Sequence, residues 1–534
     1  MCKILTSARI AMVFLFVMAS CSGVKTAEKT SAITAEIPAL IPLPTEVNWS
    51  DEVYQLPKKN TICAAPGTET AAKWLEKLLI SASLDPKMLT YESCGNWQLK
   101  LNKDLISSIG EEGYALTVND SGILLESGSE AGLFYGIQTL RQFFPAQIET
   151  GKTGKIAFRQ VHIQDTPAYE WRGSMVDMAR SFFGMDYLKT HIDRMALYKM
   201  NRLHLHLSDD QGWRIQLDAY PQLTEIGSKS SVEGGRSGFL TKEQFREIQE
   251  YAKERHIIVI PEIDMPGHIY AALRSLPDLN CEDQSNINPA HVLPPEPYTG
   301  YKVGWTKFCM DNPKTYEFVQ NVLREIAEMT MGDYLHIGGD EIEDPAYEEF
   351  ILKIDKMVQG LGKTGIGWEE ITKAAVSNNM ISQQWHGKVN PKNKNIRQIE
   401  SICSSFYLDH ANVPGQPNTL NWCNKDGVSL ADVYGFRSEN PNALGMEAPV
   451  WSEHVLTDEM MDDRFWPRLM AVAEISWTPE QALDFEDFKQ RLGRQGLRMK
   501  LMGIHHYPTP GIAWPEVPVN SVYTDVFSGF SPNI

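Results

Sequence analysis

The chain has 534 residues, 43% of them hydrophobic, with 13 Trp, 19 Tyr and 20 Phe; this excludes a fibrous or disordered protein and leaves room for about two to three domains. Lys plus Arg number 50 against 68 Asp plus Glu, a net charge of −18. Such a balance repels phosphate backbones and anionic lipid, so nucleic acid is not an expected partner and a membrane is expected only through a covalent anchor.

Residues 1–21 have the layout of a secretory signal: Lys3 and Arg9, then the apolar run from Ile10 to Met18, then Ala19 and Ser20. That run is too short to span a bilayer. Met18-Ala19-Ser20-Cys21 resembles a bacterial lipobox, which would make Cys21 the lipidated first residue of an exported protein in the periplasm or outer membrane. A plain cleaved signal is the alternative. Residues 22–36, rich in Ser, Thr, Ala and Lys, read as a flexible tether.

From 37 to 165 short β-like runs, such as Tyr114 to Asn119 and Gly122 to Ser127, alternate with helical spacing over Ala71 to Ser81 and Ala131 to Phe144. This predicts a small α+β domain. From 166 to 505 eight apolar runs recur between amphipathic stretches: Gly173–Ala179, Arg202–Leu207, Ile257–Ile263, Tyr334–Gly338, Gly365–Trp368, Ile381–Trp385, Ile402–Leu408 and Leu444–Trp451. Asp186 to Lys199 has helical periodicity between the first two. The repeat predicts an α/β fold, a closed (β/α)8 TIM barrel behind the small domain. Cys281 to Trp305 reads as an insertion that forms a loop after the third strand, able to restrict one side of the barrel mouth. The tail, 506–534, carries no recognisable chemistry. Pairing sequence neighbours among the cysteines gives 63–94, 281–309 and 403–423, and the chain lacks the Cys and His spacings of a zinc site.

Each run ends in residues a core would not select: Arg180, Asp209-Asp210, Glu262 and Asp264 with His268, Asp340-Glu341, Trp368-Glu369-Glu370, Trp385-His386, Tyr407 with Asp409, and Trp451 with Glu453. A barrel brings all its strand C-termini to one face, so these side chains converge into an acidic, aromatic-lined pocket suited to a neutral, hydroxyl-rich ligand. Asp340 and Glu341 close His336-Ile-Gly-Gly-Asp-Glu. One carboxyl of the pair can be kept protonated by its neighbour's charge and apolar walls. Adjacent residues on an extended backbone diverge, so they suit two parts of one sugar better than an opposed pair roughly 5 Å apart.

These motifs, with Asn201-Arg-Leu-His-Leu-His-Leu-Ser-Asp-Asp-Gln-Gly-Trp213-Arg and Pro261-Glu-Ile-Asp-Met-Pro-Gly-His268, resemble glycoside hydrolase family 20, the β-N-acetylhexosaminidases. The resemblance implies a cofactor-free, metal-free exo-enzyme acting on oligosaccharides with a terminal N-acetylhexosamine. In it Glu341 is the general acid/base, Asp340 orients the acetamido N–H, and Tyr407 donates to the acetamido oxygen. Trp368 and Trp385 would enclose the acetyl methyl and Trp451 underlie the ring. Arg180, Asp409 and Glu453 would bind ring hydroxyls, with Trp422 lining the same end, and Asp209 and His268 would support the catalytic pair. Arg172, Trp213, His204, His206 and Trp477 read as structural. Leu205 stands where the family often has Trp. Two alternatives stay open: a retaining glycosidase with Asp340 as its own nucleophile, and a surface carbohydrate-binding protein without turnover. The natural glycan, the gluco or galacto preference and the oligomeric state are not set by these residues.

Overall fold

The computed structural model describes residues 35–89, 95–151 and 153–516. The signal with Cys21, the tether up to 34, Cys94 and the tail from 517 lie outside the described residues. The described residues form one compact unit, and no helix among them is long and apolar enough to cross a membrane.

The first layer is a seven-stranded sheet built from β1 (Glu46–Gln55), β2 (Lys59–Ala64), β3 (Asp85–Leu89), β4 (Trp97–Leu101), β5 (Tyr114–Asn119), β6 (Gly122–Ser127) and β7 (Ala157–Asp165), in the order β1-β7-β5-β6-β4-β2-β3. Helices Glu69–Ser81 and Glu130–Phe143 pack on it, close to the positions their periodicity predicts. The second helix is buried from Gly132 to Phe143, because the sheet takes one side and the barrel the other. Polar contacts secure that seam. Asp165, at the end of β7, accepts from Tyr114 Oη at 2.7 Å and from Lys199 Nζ and Trp477 Nε1 at 2.9 Å each. Arg172 spreads its guanidinium over both oxygens of Glu112, at 2.9 Å each.

Eight parallel strands close the barrel: β8 (Trp171–Asp177), β9 (Arg202–His206), β10 (Ile258–Glu262), β11 (Tyr334–His336), β12 (Thr364–Trp368), β13 (Met380–Gln384), β14 (Arg397–Glu400) and β15 (Ala443–Val450). Trp171, Ile260, Ile366, Ile381, Ile399 and Leu444 fill the lower interior. The register sets Asp177 beside His206, His206 beside Glu262, and Glu262 beside His336. One polar layer therefore crosses four neighbouring strands just below the mouth. Leu205, between the two inward histidines, is fully buried in the main core behind the barrel wall.

One strand differs from its expected place. The seventh is β14, Arg397–Glu400, while the run from Ile402 contains the short helix Cys403–Phe406. β14 is polar apart from Ile399, the residue it gives to the interior layer, so alternation alone does not mark it. The β-branched and aromatic run after it owes its apolar character to Phe406 and Leu408, which are buried in the main core. Disulfides join Cys281 to Cys309 and Cys403 to Cys423, as neighbour pairing predicts; the third expected pair involves Cys94, outside the described residues.

Breaking a buried ion pair from one side leaves the other charge unpaired, at a cost of about 3–5 kcal/mol. Asp165→Ala strands Lys199, which is fully buried, and loses about that much stability in denaturant unfolding. A loss below about 1 kcal/mol would show that the seam does not depend on this pair.

Candidate active site

Asp340 and Glu341 follow β11 through two glycines with φ of +65° and +104°. A Cβ at Gly338 would lie 1.7 Å from Asp264 Oδ1, so only glycine lets the chain pass that carboxyl. Glu341 itself has φ +57° and His268 φ +54°. Non-glycine residues in this region are strained and persist where the surrounding structure fixes them. The backbone here is not the extended one that the sequence suggested, and an oxygen of each adjacent carboxyl lies within 4.8 Å of the other. Asp340 turns inward, with its side chain 14% exposed, while Glu341 stays 33% exposed at the mouth.

His268 links them. Its Nε2 lies 3.2 Å from Glu341 Oε2 and 3.7 Å from Asp340 Oδ2, and Nδ1 lies 3.4 Å from Asp209 Oδ1. These are ion contacts rather than aligned hydrogen bonds, since both ring nitrogens lack a well-directed partner. Burial works against the ring's charge, but Asp209 and Asp340 outweigh it and hold His268 protonated well above the usual histidine range. Asp209 also accepts from His206 and pairs with Arg180 at 2.8 Å. Arg180 lies 3.9 Å from Glu453 and sits over the Trp451 ring at 5.0 Å.

The aromatic wall is continuous. Trp368 Nε1 donates to Glu262 at 3.0 Å, and its ring meets Trp451 at 5.6 Å. Tyr407 lies nearly parallel to Trp385, 13° apart at 6.4 Å, and 6.1 Å from Trp451. Trp422, 50% exposed, stands edge-on to Trp385 and Tyr407 at 5.8 Å each. Asp409 pairs with His410 and leaves Oδ1 without a partner; Glu453 Oε2 and Asp340 Oδ1 are likewise buried and unpartnered. Buried polar atoms left unpaired are costly, and these three stand where a ligand's hydroxyls and N–H would satisfy them. All twelve predicted site residues thus gather at one mouth.

The titration of the catalytic pair departs from expectation. Burial and the charge of Glu341 push Asp340 up to about 6 against the pull of His268. Glu341 is also pushed up by burial, but His268 overcomes this and holds it below the ordinary carboxylate range. In the open pocket the raised member of the pair is therefore Asp340, because Glu341 is the more exposed and faces the imidazolium. Glu453 and Glu370 rise to about 7 each, both mainly through burial.

Several supporting residues lie outside the predicted set. Glu370 accepts from Trp385 Nε1 at 3.0 Å, and Asp264 accepts from Gly339 N at 3.2 Å. Both stand at strand ends, where the acidic pattern already pointed. Asp177 accepts from the backbone N–H of Ala179, Arg180 and Ser452, tying the Arg180 loop to the Trp451 loop. Arg214 donates to the carbonyls of Met178, Ala179, Ser228, Ser230 and Gly238; Arg468 does so to Leu408, His410, Val428 and Arg464. Main-chain partners of this kind leave no trace in the sequence pattern. Asp209, Asp264 and His268, and His268 with Asp340 and Glu341, hold donor atoms within 4.8 Å of one another.

A barrel whose mouth holds two adjacent carboxylates of unequal burial beside a wall of indoles defines an enzyme of the glycoside hydrolase class. The chain belongs to glycosyl hydrolase family 20. It matches the family's catalytic domain over residues 169–349 and 344–480, and its domain 2 over 37–166. A β-hexosaminidase of Porphyromonas gingivalis is 34% identical across 88% of this chain, which spans 64% of that relative. A β-N-acetylhexosaminidase of Cellulomonas fimi is 33% identical across 78% of this chain and 84% of its own length. The structure of Streptomyces plicatus N-acetyl-β-hexosaminidase in complex with Thio-NAglucal is similar with a TM-score of 0.82 at 34% identity, covering 91% of this chain and 99% of that one. A mutant of the Streptomyces plicatus β-hexosaminidase has been solved in complex with its product, GlcNAc.

Asp340 carries a stability signature. Its folded carboxyl holds a proton up to about pH 6, whereas the ordinary value is 3.8. The folded state therefore binds the extra proton inside that window, so stability falls as pH rises through it and the ionised group costs stability above. Asp340→Asn should be more stable than the parent at pH 7.5 by about 1–3 kcal/mol, a gap that closes towards pH 4. Denaturant unfolding at both pH values tests this; no gain at pH 7.5 contradicts it.

Proposed function

We propose that the protein is an exo-acting β-N-acetylhexosaminidase that removes terminal β-linked N-acetylhexosamine with retention, the substrate's own acetamido oxygen attacking the anomeric carbon. The observation that carries the reading is the unequal pair: Glu341 at the more exposed rim, Asp340 more deeply buried with a free oxygen. Asp340 accepts the acetamido N–H, and Tyr407, whose phenol burial keeps protonated well above its usual range, donates to the carbonyl oxygen. Together they hold the amide in line for attack and favour the positive charge that develops on it. Trp368 and Trp385 exclude water from the acetyl methyl, Trp451 supports the ring, and Arg180, Asp409 and Glu453 take ring hydroxyls. Departure of the aglycone needs a proton from Glu341. Seating the aglycone buries the exposed third of that side chain and raises its proton affinity, with the protonated ring of His268 at 3.2 Å. Breakdown of the oxazolinium uses Glu341 as base towards water.

The same reading takes oligosaccharides ending in an N-acetylhexosamine as substrates, whether from chitin, peptidoglycan or host glycans, and export with a lipid anchor at Cys21 as the location. The signal-like start and the sequence Met18-Ala19-Ser20-Cys21 support the latter.

Glu341→Gln should lower kcat on an N-acetylglucosaminide with a poor leaving group by at least about 100-fold while ligand binding stays measurable. Asp340→Asn and Tyr407→Phe should lower kcat far more than they raise KM; losses confined to KM would contradict an amide held for attack. Asp340 works only when ionised, so kcat/KM should fall as pH drops below about 6, and Asp340→Asn should erase that limb. A limb unchanged in the variant would assign it to another group.

A further inference from the structure

Glu369 follows Trp368 directly, at the end of β12, and is 1% exposed. Its carboxylate receives five successive main-chain N–H groups from the turn after β13. Oε2 accepts from Trp385 at 3.1 Å, His386 at 3.0 Å and Gly387 at 2.7 Å. Oε1 accepts from Lys388 at 3.1 Å and Val389 at 3.3 Å. Consecutive amides turned to one side form an anion-binding concavity. Gly387, with φ +65°, supplies the left-handed step that such a turn needs.

The turn could have satisfied these amides with water, as exposed loops do. Instead they bind a side chain rooted on the neighbouring strand, one residue from Trp368. A single carboxylate thus spans the two indoles: covalently next to one, hydrogen-bonded to the backbone of the other. Glu370 grips the far end of the same residue through Trp385 Nε1 at 3.0 Å. Because Trp385 lies parallel to Tyr407, any displacement of the turn also moves the surface against which the phenol rests.

We infer that Glu369 is a positioning residue that sets the separation of Trp368 and Trp385, and thereby the depth of the pocket for the substrate's acyl methyl. This rests on the reading of that pocket as the acetamido site. Glutamine cannot replace the carboxylate: one of its two ends is an NH2, which would face either the three N–H groups on Oε2 or the two on Oε1.

The test compares kcat/KM for aryl N-acetyl- and N-propanoyl-β-D-glucosaminides in the parent, Glu369→Gln and Gly387→Ala. A rigid apolar pocket rejects one extra methylene by about 10-fold or more. In Glu369→Gln that discrimination should fall to about 2-fold or less, with kcat dropping more than KM rises. A merely structural defect would slow both substrates alike. Should Glu369→Gln fail to fold, Gly387→Ala carries the test. Its added Cβ meets nothing nearer than Ile402 Cδ1 at 3.5 Å, so it loosens the turn through backbone strain alone and should show a partial loss of discrimination. Discrimination equal to the parent's in every variant that folds overturns the role of Glu369, whatever the absolute rates. A parent without discrimination would instead refute the acetamido pocket itself.

Discussion

An imidazolium in a crowd of acids governs this site. Asp177, Asp209, Asp340, Glu341 and Glu453 all stand at the barrel mouth, and the buried cations Arg180 and His268 face them, with His206 below. Removing several like charges from water is affordable only where cations and directed donors compensate. Compensation here is uneven. Asp209 touches both cations and is held strongly ionised. Burial raises Asp340 and Glu453, and cations further away offset it less, so both keep their protons to higher pH. The division of work between adjacent carboxyls follows from the deeper burial of Asp340 and from where His268 sits rather than from any difference between Asp and Glu as acids.

Precision in the rest of the site comes from buried charges satisfied by main chain. Arg214 collects carbonyls around the loop that carries Arg180, Arg468 does so for the loop from Leu408 to Val428, and Asp177 and Glu369 collect amides at two further strand ends. Each fixes loop backbone to the barrel, so side chains from separate strands meet in one arrangement before substrate arrives. Such preorganisation lets directed dipoles act without rearranging during the reaction. The disulfide between Cys403 and Cys423 adds a covalent tie next to Tyr407 and Trp422.

Much of this was legible in the chain. Strands rich in β-branched residues, such as Ile258–Glu262, and the polar residues at their ends follow from alternation and the geometry of a parallel barrel. Eleven of the twelve residues that converge were readable at strand ends because a core would not select them; Trp422 was named only through the family resemblance. β14 was not, since three of its four residues are polar and its one apolar contribution, Ile399, looks like chance. Arg214 and Arg468 were illegible for a different reason: their partners are carbonyls, which every residue possesses. The titration of Glu341 also escaped, because a neighbour's charge acts through a distance that only the folded chain defines.

The central claim is that the nucleophile belongs to the substrate, with Asp340 and Tyr407 steering it. Successive fluorination of the acetamido methyl leaves the leaving group and ring hydroxyls unchanged while draining electron density from the amide oxygen. The account predicts that kcat falls steeply at each fluorine, by orders of magnitude across an aryl glycoside series. A rate indifferent to fluorination would assign the attack to an enzyme carboxylate or to water and contradict it.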